Sequence, residues 1–222
     1  MATRLSQSME DYLKAIYLEE EDAPEGAVAT AAIADRLGVS AASATNMLKK
    51  LHSLGLVEHA PYRGGRLPGP GKAAALEVIR HHRLLEAYLA HSLGLPWEEL
   101  HGEAEVLEHA LSEKLEEHIA AYLGDPTVDP HGDPIPSREL EMPFGPRQNL
   151  WEQADGGTTT VARVSDADSR LLTYLAELGV APGVTLQVVR RGPVSGPLFI
   201  KVGGTGKDHA LSKEMAESIW VS

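Results

Sequence analysis

The 222-residue chain contains no cysteine. That absence excludes a disulfide framework, thiolate zinc fingers and thiol nucleophiles. No apolar run reaches the roughly 18 residues of a membrane span, and Met1 to Glu10 lacks a basic stretch followed by an apolar one. A soluble, cytoplasmic protein with no membrane partner is expected. Catalytic signatures are missing too. There is no His-Glu-x-x-His, and Glu98 to His101 is a single Glu-x-x-His where a di-iron bundle needs two. No nucleophile elbow occurs, and Gly203-Gly204-Thr205-Gly206 is not followed by the Lys-Ser/Thr helix of a P-loop. Neither an enzyme nor a small-molecule substrate is expected.

Positive charge is scarce: 20 Lys plus Arg stand against 32 Asp plus Glu, a net charge of −12. Spread evenly, that balance would argue against a nucleic-acid partner. It is not spread evenly. Residues 36–72 carry Arg36, Lys49, Lys50, Arg63, Arg66 and Lys72 against Glu58 alone, a net +5, while residues 73–142 sum to −11. Asymmetry on that scale predicts regions with different tasks.

The hydrophobic pattern supplies the elements. Leu5, Met9, Tyr12, Leu13, Ile16 and Tyr17 recur at helical spacing. Helices over Thr30–Leu37 and Ala41–Leu54 are closed by Gly38 and Gly55, with Ser40 as the cap of the latter. Helix, short Gly turn, helix is a helix-turn-helix, and the strands Leu56–His59 and Arg66–Leu67 around a Pro61–Gly65 turn add a wing. A long helix follows from Lys72 to about Leu93. A second runs from about Trp97 to Leu123, with a possible interruption near Gly102. Six Pro and five Gly mark 124–157 as loop-rich. Beyond it, β-branched residues alternate between Gly/Pro turns, with one helix at Ser169–Leu178. The expected fold is α+β and multidomain: a winged helix-turn-helix at 1–71, an all-helical dimerisation domain at 72–142, a linker at 143–157 and a small SH3-like β-barrel at 158–222.

On the second helix of the helix-turn-helix, Ser40, Ser43, Thr45 and Asn46 are small polar groups able to reach base edges. Arg36, Lys49 and Lys50, with Arg63 and Arg66 on the wing, would neutralise phosphates. Farther along, His101, Glu105, Glu108 and His109 share one helical face, and His82 and Glu86 form a second imidazole–carboxylate pair one turn apart. Carboxylates with imidazoles and no sulfur suit Mn²⁺ or Fe²⁺, with Zn²⁺ or Co²⁺ able to bind in vitro. His52, His59, His81, His91, His118, His131 and His209 lack such carboxylate groupings and are read as surface or packing residues.

These motifs together resemble the DtxR/MntR family of metal-dependent repressors, over nearly the whole chain. The resemblance is carried by Ser8-Met9-Glu10-Asp11-Tyr12-Leu13, His82-Arg83-Leu84-Leu85-Glu86, His101-Gly-Glu-Ala-Glu105-x-x-Glu108-His109, Pro130-His-Gly-Asp-Pro-Ile-Pro136 and Leu175 to Gly183 in an SH3-like (FeoA-like) tail. It implies a primary metal site of Asp11, Glu105, Glu108 and His109, and an ancillary site of His82, Glu86, His101 and Asp168. The iron-responsive branch has Met where this chain has Asp11 and Cys where it has Glu105, so the carboxylates resemble the manganese-responsive branch. Short manganese regulators carry Glu at the position of Lys14, and because an ammonium cannot ligate, two separate sites are expected. The implied function is Mn²⁺-dependent repression of metal-uptake genes by a homodimer on a palindromic double-stranded operator. An Fe²⁺-responsive repressor, a metal-independent winged-helix regulator and a metal-dependent hydrolase or oxidase on a DNA-binding fold are the rival readings.

Overall fold

The computed structural model describes residues 5–22, 27–60, 64–194, 196–204 and 206–222. Its contacts divide into two compact units. One comprises Met1–His82, Glu108–Leu111 and Pro136–Met142; the other comprises Arg83–Leu107, Ser112–Ile135 and Pro143–Ser222.

In the first unit, α1 (Gln7–Asp22) buries Met9, Tyr12, Leu13, Ile16 and Tyr17, the helical stripe read from the sequence. Helices α2 (Thr30–Arg36) and α3 (Ala41–Ser53) pack Ile33, Ala34, Ala44, Leu48 and Leu51 against it. Ser40 caps α3 by accepting from the Ser43 amide at 3.1 Å, satisfying one of the N–H groups that a helix start leaves open. The wing is an antiparallel pair, β1 (Glu58–Ala60) and β2 (Gly64–Arg66), joined by an isolated bridge from Val28 to Gly65. Gly64 has φ +81°, and a Cβ there would lie 1.9 Å from the Val28 carbonyl oxygen. Only glycine lets the strand approach this closely. The core of this unit closes with Leu76 and Ile79 from the first part of α4 (Gly69–Tyr88).

In the second unit, the end of α4 passes into a single π-helical turn at Leu89–Leu93, which Gly94 terminates in the left-handed conformation. The expected helix from Trp97 to Leu123 is two helices, α5 (Trp97–Leu107) and α6 (Glu113–Tyr122). The interruption falls at 108–112 and not near Gly102. Ser112 restarts the chain as the N-cap of α6, accepting from the Leu115 amide. The tail forms a six-stranded antiparallel sheet in the order β3-β8-β4-β5-β6-β7. Its strands are β3 (Gln148–Asn149), β4 (Thr158–Val164), β5 (Thr185–Arg191), β6 (Leu198–Val202), β7 (His209–Leu211) and β8 (Ile219–Val221). Helix α7 (Ser169–Leu178) buries Leu172 and Leu175 in the sheet core, and α8 (Lys213–Glu217) contributes Ala216.

The grouping cuts across the expected 72–142 domain, and the reason lies in the loop Asp129–Asp133. Asp129 Oδ1 accepts from the amides of His131 (2.8 Å) and Asp133 (2.9 Å), folding the loop on itself. The His131 carbonyl then accepts from the Val164 amide of β4 at 2.8 Å, and Asp133 pairs with Arg83 of α4 and Arg163 of β4 at 3.1 and 2.9 Å. Trp97 adds a bond from its indole N–H to the Leu172 carbonyl. The end of α4, the start of α5 and the sheet are thus held together by one loop. Gly132, at φ +89°, makes it fit: a Cβ would stand 2.1 Å from the Ala162 carbonyl oxygen. Gly132→Ala is expected to destabilise the second unit by at least about 2 kcal/mol, measured by chemical denaturation. A change below about 0.5 kcal/mol would show that the loop does not lock it.

Candidate metal centres and nucleic-acid interface

The break between α5 and α6 places Glu108 and His109 in the first unit, facing α1. Ligand atoms of Asp11, Glu108 and His109 lie within 4.8 Å of one another. His109 Nδ1 lies 2.6 Å from Glu10 Oε2, which fixes that nitrogen as a donor and turns Nε2 to Asp11 Oδ1 at 2.8 Å and Glu108 Oε1 at 3.4 Å. An imidazole whose second nitrogen is tied to a carboxylate is the usual arrangement of a metal-binding histidine. Glu108 is 1% exposed. Burial alone would raise its pKa, but the His82 hydrogen bond and the Lys14 charge outweigh that and hold the carboxyl below its ordinary value. Lys14 Nζ lies 2.8 Å and His82 Nδ1 2.5 Å from Glu108 Oε2.

His82, implied for the ancillary site, also bonds the Glu108 carboxylate of the primary set. Glu105, implied for the primary set, lies on α5 with its carboxylate 3.7 Å from His101 Nε2. Glu10, adjacent to the expected ligand, was missed; its position next to Asp11 on the first turns of α1 was the available signal.

The second cluster lies within the second unit. Glu86, Asp129 and His131 are all buried, with ligand atoms within 4.8 Å of one another. His131 Nε2 lies 3.0 Å from the Trp97 carbonyl, so it carries the hydrogen, and Nδ1 faces Glu86 Oε2 at 3.7 Å. His101 Nδ1 stands 3.1 Å from Asp166 Oδ2 and 3.9 Å from Glu86 Oε1. Asp168, expected to complete the ancillary site, does not face this group. It caps α7, accepting from the Arg170 amide, and its two oxygens take Arg170 Nε and NH2 at 3.0 and 2.8 Å. Those Arg170 bonds hold its carboxyl below the usual value. The helix start therefore uses Asp168 as its cap, and Asp166, two residues earlier, takes the position beside His101. His131, read from sequence as a packing residue, is fully buried at the centre of the cluster. Its signal was the tight Asp129-x-His131-x-Asp133 spacing, whose meaning depends on Glu86, more than forty residues away.

Charge balance in this cluster is tight. Burial, with Asp133 and Glu86 nearby, pushes Asp129 well above the ordinary carboxylate value. Asp133 is also raised by burial, against the opposing charges of Arg83 and Arg163. For His131, burial favours the neutral ring, but the hydrogen bond and charge of Glu86, with Asp129 behind, overcome it and lift the imidazole to about 9. Both clusters fit a hard or borderline divalent ion: their donors are carboxylate oxygens and imidazole nitrogens, with no sulfur.

At the reading head, Ser40, Ser43, Asn46, Lys49, Lys50 and Arg66 are exposed and Thr45 half-buried. Ser40 and Ser43 hydroxyls bond each other at 2.9 Å, and Thr45 bonds the Ala41 carbonyl. Arg36 is engaged elsewhere, its Nε 2.6 Å from Glu19 Oε1 of α1. The phosphate role expected for it therefore competes with an ion pair that ties α2 to α1. Arg63 lies outside the described residues.

A winged helix-turn-helix, carboxylate–imidazole centres and a six-stranded β tail define a metal-binding DNA-reading regulator, and comparison with known proteins agrees. Residues 4–65 match the iron dependent repressor, N-terminal DNA binding domain; 70–137 match the iron dependent repressor, metal binding and dimerisation domain; 149–222 match the FeoA domain. The chain is 34% identical to the iron-dependent repressor IdeR of Mycobacterium leprae, over 98% of this chain and 97% of that one. It is 37% identical to the diphtheria toxin repressor of Corynebacterium efficiens over 83% and 84% of the two chains. Among solved structures, a manganese-dependent transcriptional repressor in complex with manganese is similar at TM-score 0.86 and 42% identity, covering 96% of this chain and 98% of that one. ScaR with bound Cd²⁺ is similar at TM-score 0.82 and 33% identity over 96% and 98%. The chain belongs to the DtxR family of metal-dependent, DNA-binding transcriptional repressors, a family of regulators and not of enzymes.

The lifted His131 pKa gives a linkage with a definite sign. A histidine raised from 6.5 to about 9 on folding adds stability that is complete below about pH 6.5 and lost as pH rises through about 9. In the presence of chelator, unfolding free energy is expected to fall over that window by up to about 3 kcal/mol. His131→Phe is expected to flatten the slope there. A wild-type profile flat from pH 6.5 to 9 would mean His131 is not held by Glu86 and Asp129.

Proposed function

We propose that the protein is a manganese-responsive repressor that acts in the cytoplasm as a homodimer on a palindromic operator. The observation that carries this reading is the Asp11–Glu108–His109 cluster, whose donors are oxygen and nitrogen alone and whose atoms converge within 4.8 Å. Its likeness to a repressor solved in complex with manganese supports the choice of ion. Glu105 joins this set on sequence spacing, one helical turn before Glu108. Glu86, Asp129 and His131, with Asp166 and His101 beside them, form a second set.

A bound divalent cation supplies positive charge that offsets the converging carboxylates. Asp11 stands on α1, and Glu108 and His109 on the 108–111 segment, so drawing these side chains together fixes α1 against that segment. Because α1 shares a core with α2 and α3, the posture of the reading helix follows. Ser40, Ser43, Thr45 and Asn46 then meet base edges, while Lys49, Lys50, Arg63 and Arg66 meet phosphates. Two reading heads on successive major grooves need a two-fold dimer. The large apolar side chains Val106, Leu107, Leu115 and Tyr122 stay exposed on the helices of the second unit and support such an interface. No helix is long and apolar enough to cross a membrane.

The resemblance to IdeR favours Fe²⁺ as the second reading. A duplex selected from a random pool in the presence of Mn²⁺ and titrated with Mn²⁺, Fe²⁺, Zn²⁺ and Co²⁺ separates the two. Metal is expected to tighten operator binding by roughly 5- to 150-fold, the usual span of allosteric coupling. Asp11→Ala is expected to abolish that gain while leaving the weak metal-free affinity in place. Equal affinity with Mn²⁺ and with chelator would overturn the reading, and a stronger response to Fe²⁺ would select the second.

A further inference from the structure

The first centre holds a side chain whose charge opposes its purpose. Lys14 lies one helical turn after Asp11 on α1, and its Nζ stands 2.8 Å from Glu108 Oε2 and 3.1 Å from Oε1. The same nitrogen is 3.2 Å from His82 Nδ1. The Lys14 side chain is only 12% exposed and that of Glu108 is fully buried. In such surroundings charges are weakly screened, so the ammonium attracts Glu108 strongly and would repel a divalent ion sharing that carboxylate.

Lys14 is not needed to hold Glu108 in place. His82 Nδ1 bonds Glu108 Oε2 independently at 2.5 Å, leaving Oε1 turned towards His109 Nε2 at 3.4 Å. Orientation of the ligand is therefore already supplied from α4, and what Lys14 adds is charge. We propose that Lys14 is a resident cation that competes with the divalent ion for Glu108 and so sets the free-metal concentration at which the first centre fills.

The inference rests on Asp11, Glu108 and His109 being a cation site, and it concerns the threshold of that site. With the ammonium present, the field of Glu10, Asp11 and Glu108 on an incoming ion is reduced by one charge. Without it, the metal-free protein keeps a buried carboxylate deprived of its main counter-charge, which raises the energy of the empty state relative to the filled one. Both effects act in the same direction. Removing the charge at position 14 tightens metal binding, whereas removing a mere positioning group would loosen it.

The test measures Mn²⁺ dissociation constants by the paramagnetic resonance signal of the free ion. It uses the full chain in a Glu86→Ala background, so that the second cluster does not contribute. Lys14→Met, which keeps the length of the stem, is expected to bind Mn²⁺ about tenfold or more tightly than the parent. Lys14→Arg, which keeps the charge, is expected to stay within about threefold of the parent. Circular dichroism checks the fold of each variant, and Lys14→Gln replaces Lys14→Met if the latter does not fold. Affinity of the neutral variant equal to or weaker than that of the parent overturns the proposal. A parent whose Mn²⁺ binding is unchanged by Asp11→Ala overturns the reading of the centre itself, and the proposal with it.

Discussion

Everything distinctive in this protein depends on carboxylates that are buried and must be matched by positive charge. Glu86, Glu108, Asp129 and Asp133 are each no more than 6% exposed. An unmatched buried carboxylate costs several kcal/mol, so every one of them dictates where a partner comes from. Glu108 draws Lys14 from α1 and His82 from α4. Asp133 draws Arg83 from α4 and Arg163 from β4. Asp129 is met by backbone amides of its own loop, and Glu86 by His131. Because the partners of Glu108, Asp133 and Glu86 stand on other segments, satisfying those charges also fixes the elements. The acidity that gives the chain its net charge of −12 is in part this internal framework, not a solvated surface.

The same economy explains the reading head. Six basic groups at 36–72 give the region its positive character, yet Arg36 is drawn to Glu19 and so joins α2 to α1. Lys49, Lys50 and Arg66 remain exposed for phosphates. Small hydroxyls on α3 have a double life: Ser40 and Ser43 satisfy the helix start, while Asn46 is exposed one turn on. A cap residue can still face DNA, because the N-terminal turn of such a helix is the part that enters the groove.

The winged helix was legible in the sequence because its determinants are local. Apolar spacing, Ser40 before α3 and the glycines after α2 and α3 each act within a few residues. The helix Ser169–Leu178 was likewise read to the residue. What could not be read was long-range. The break at 108–112 carries no glycine or proline; it sets Glu108 and His109 against Lys14 and Asp11 of α1, and spacing along a continuous helix hides that. The exchange of Asp168 for Asp166 has a local cause with a remote effect. A carboxylate at the N-cap is taken up by the amide of the first turn, and it is the acid two residues upstream, Asp166, that the fold brings beside His101. His131 seemed ordinary because its carboxylate partners are remote in sequence or lie in a proline-rich loop with no periodicity.

The two centres share a construction that bears on which ion they suit. In each, one imidazole nitrogen is fixed by an outer partner, Glu10 for His109 and the Trp97 carbonyl for His131, so the other is presented in a set direction before any ion arrives. Around each ring the remaining donors are carboxylates. Raw affinity would favour Zn²⁺ over Mn²⁺ at any such set, so a preference for the weaker-binding ion must arise from the number and placement of oxygen donors and from how much positive charge the site already holds. In the first centre that resident charge is Lys14, and in the second it is the imidazolium of His131, lifted to about 9 by Glu86 and Asp129. Each is a cation that the folded protein supplies for itself. A divalent ion entering either centre would have to displace a charge that is already satisfied.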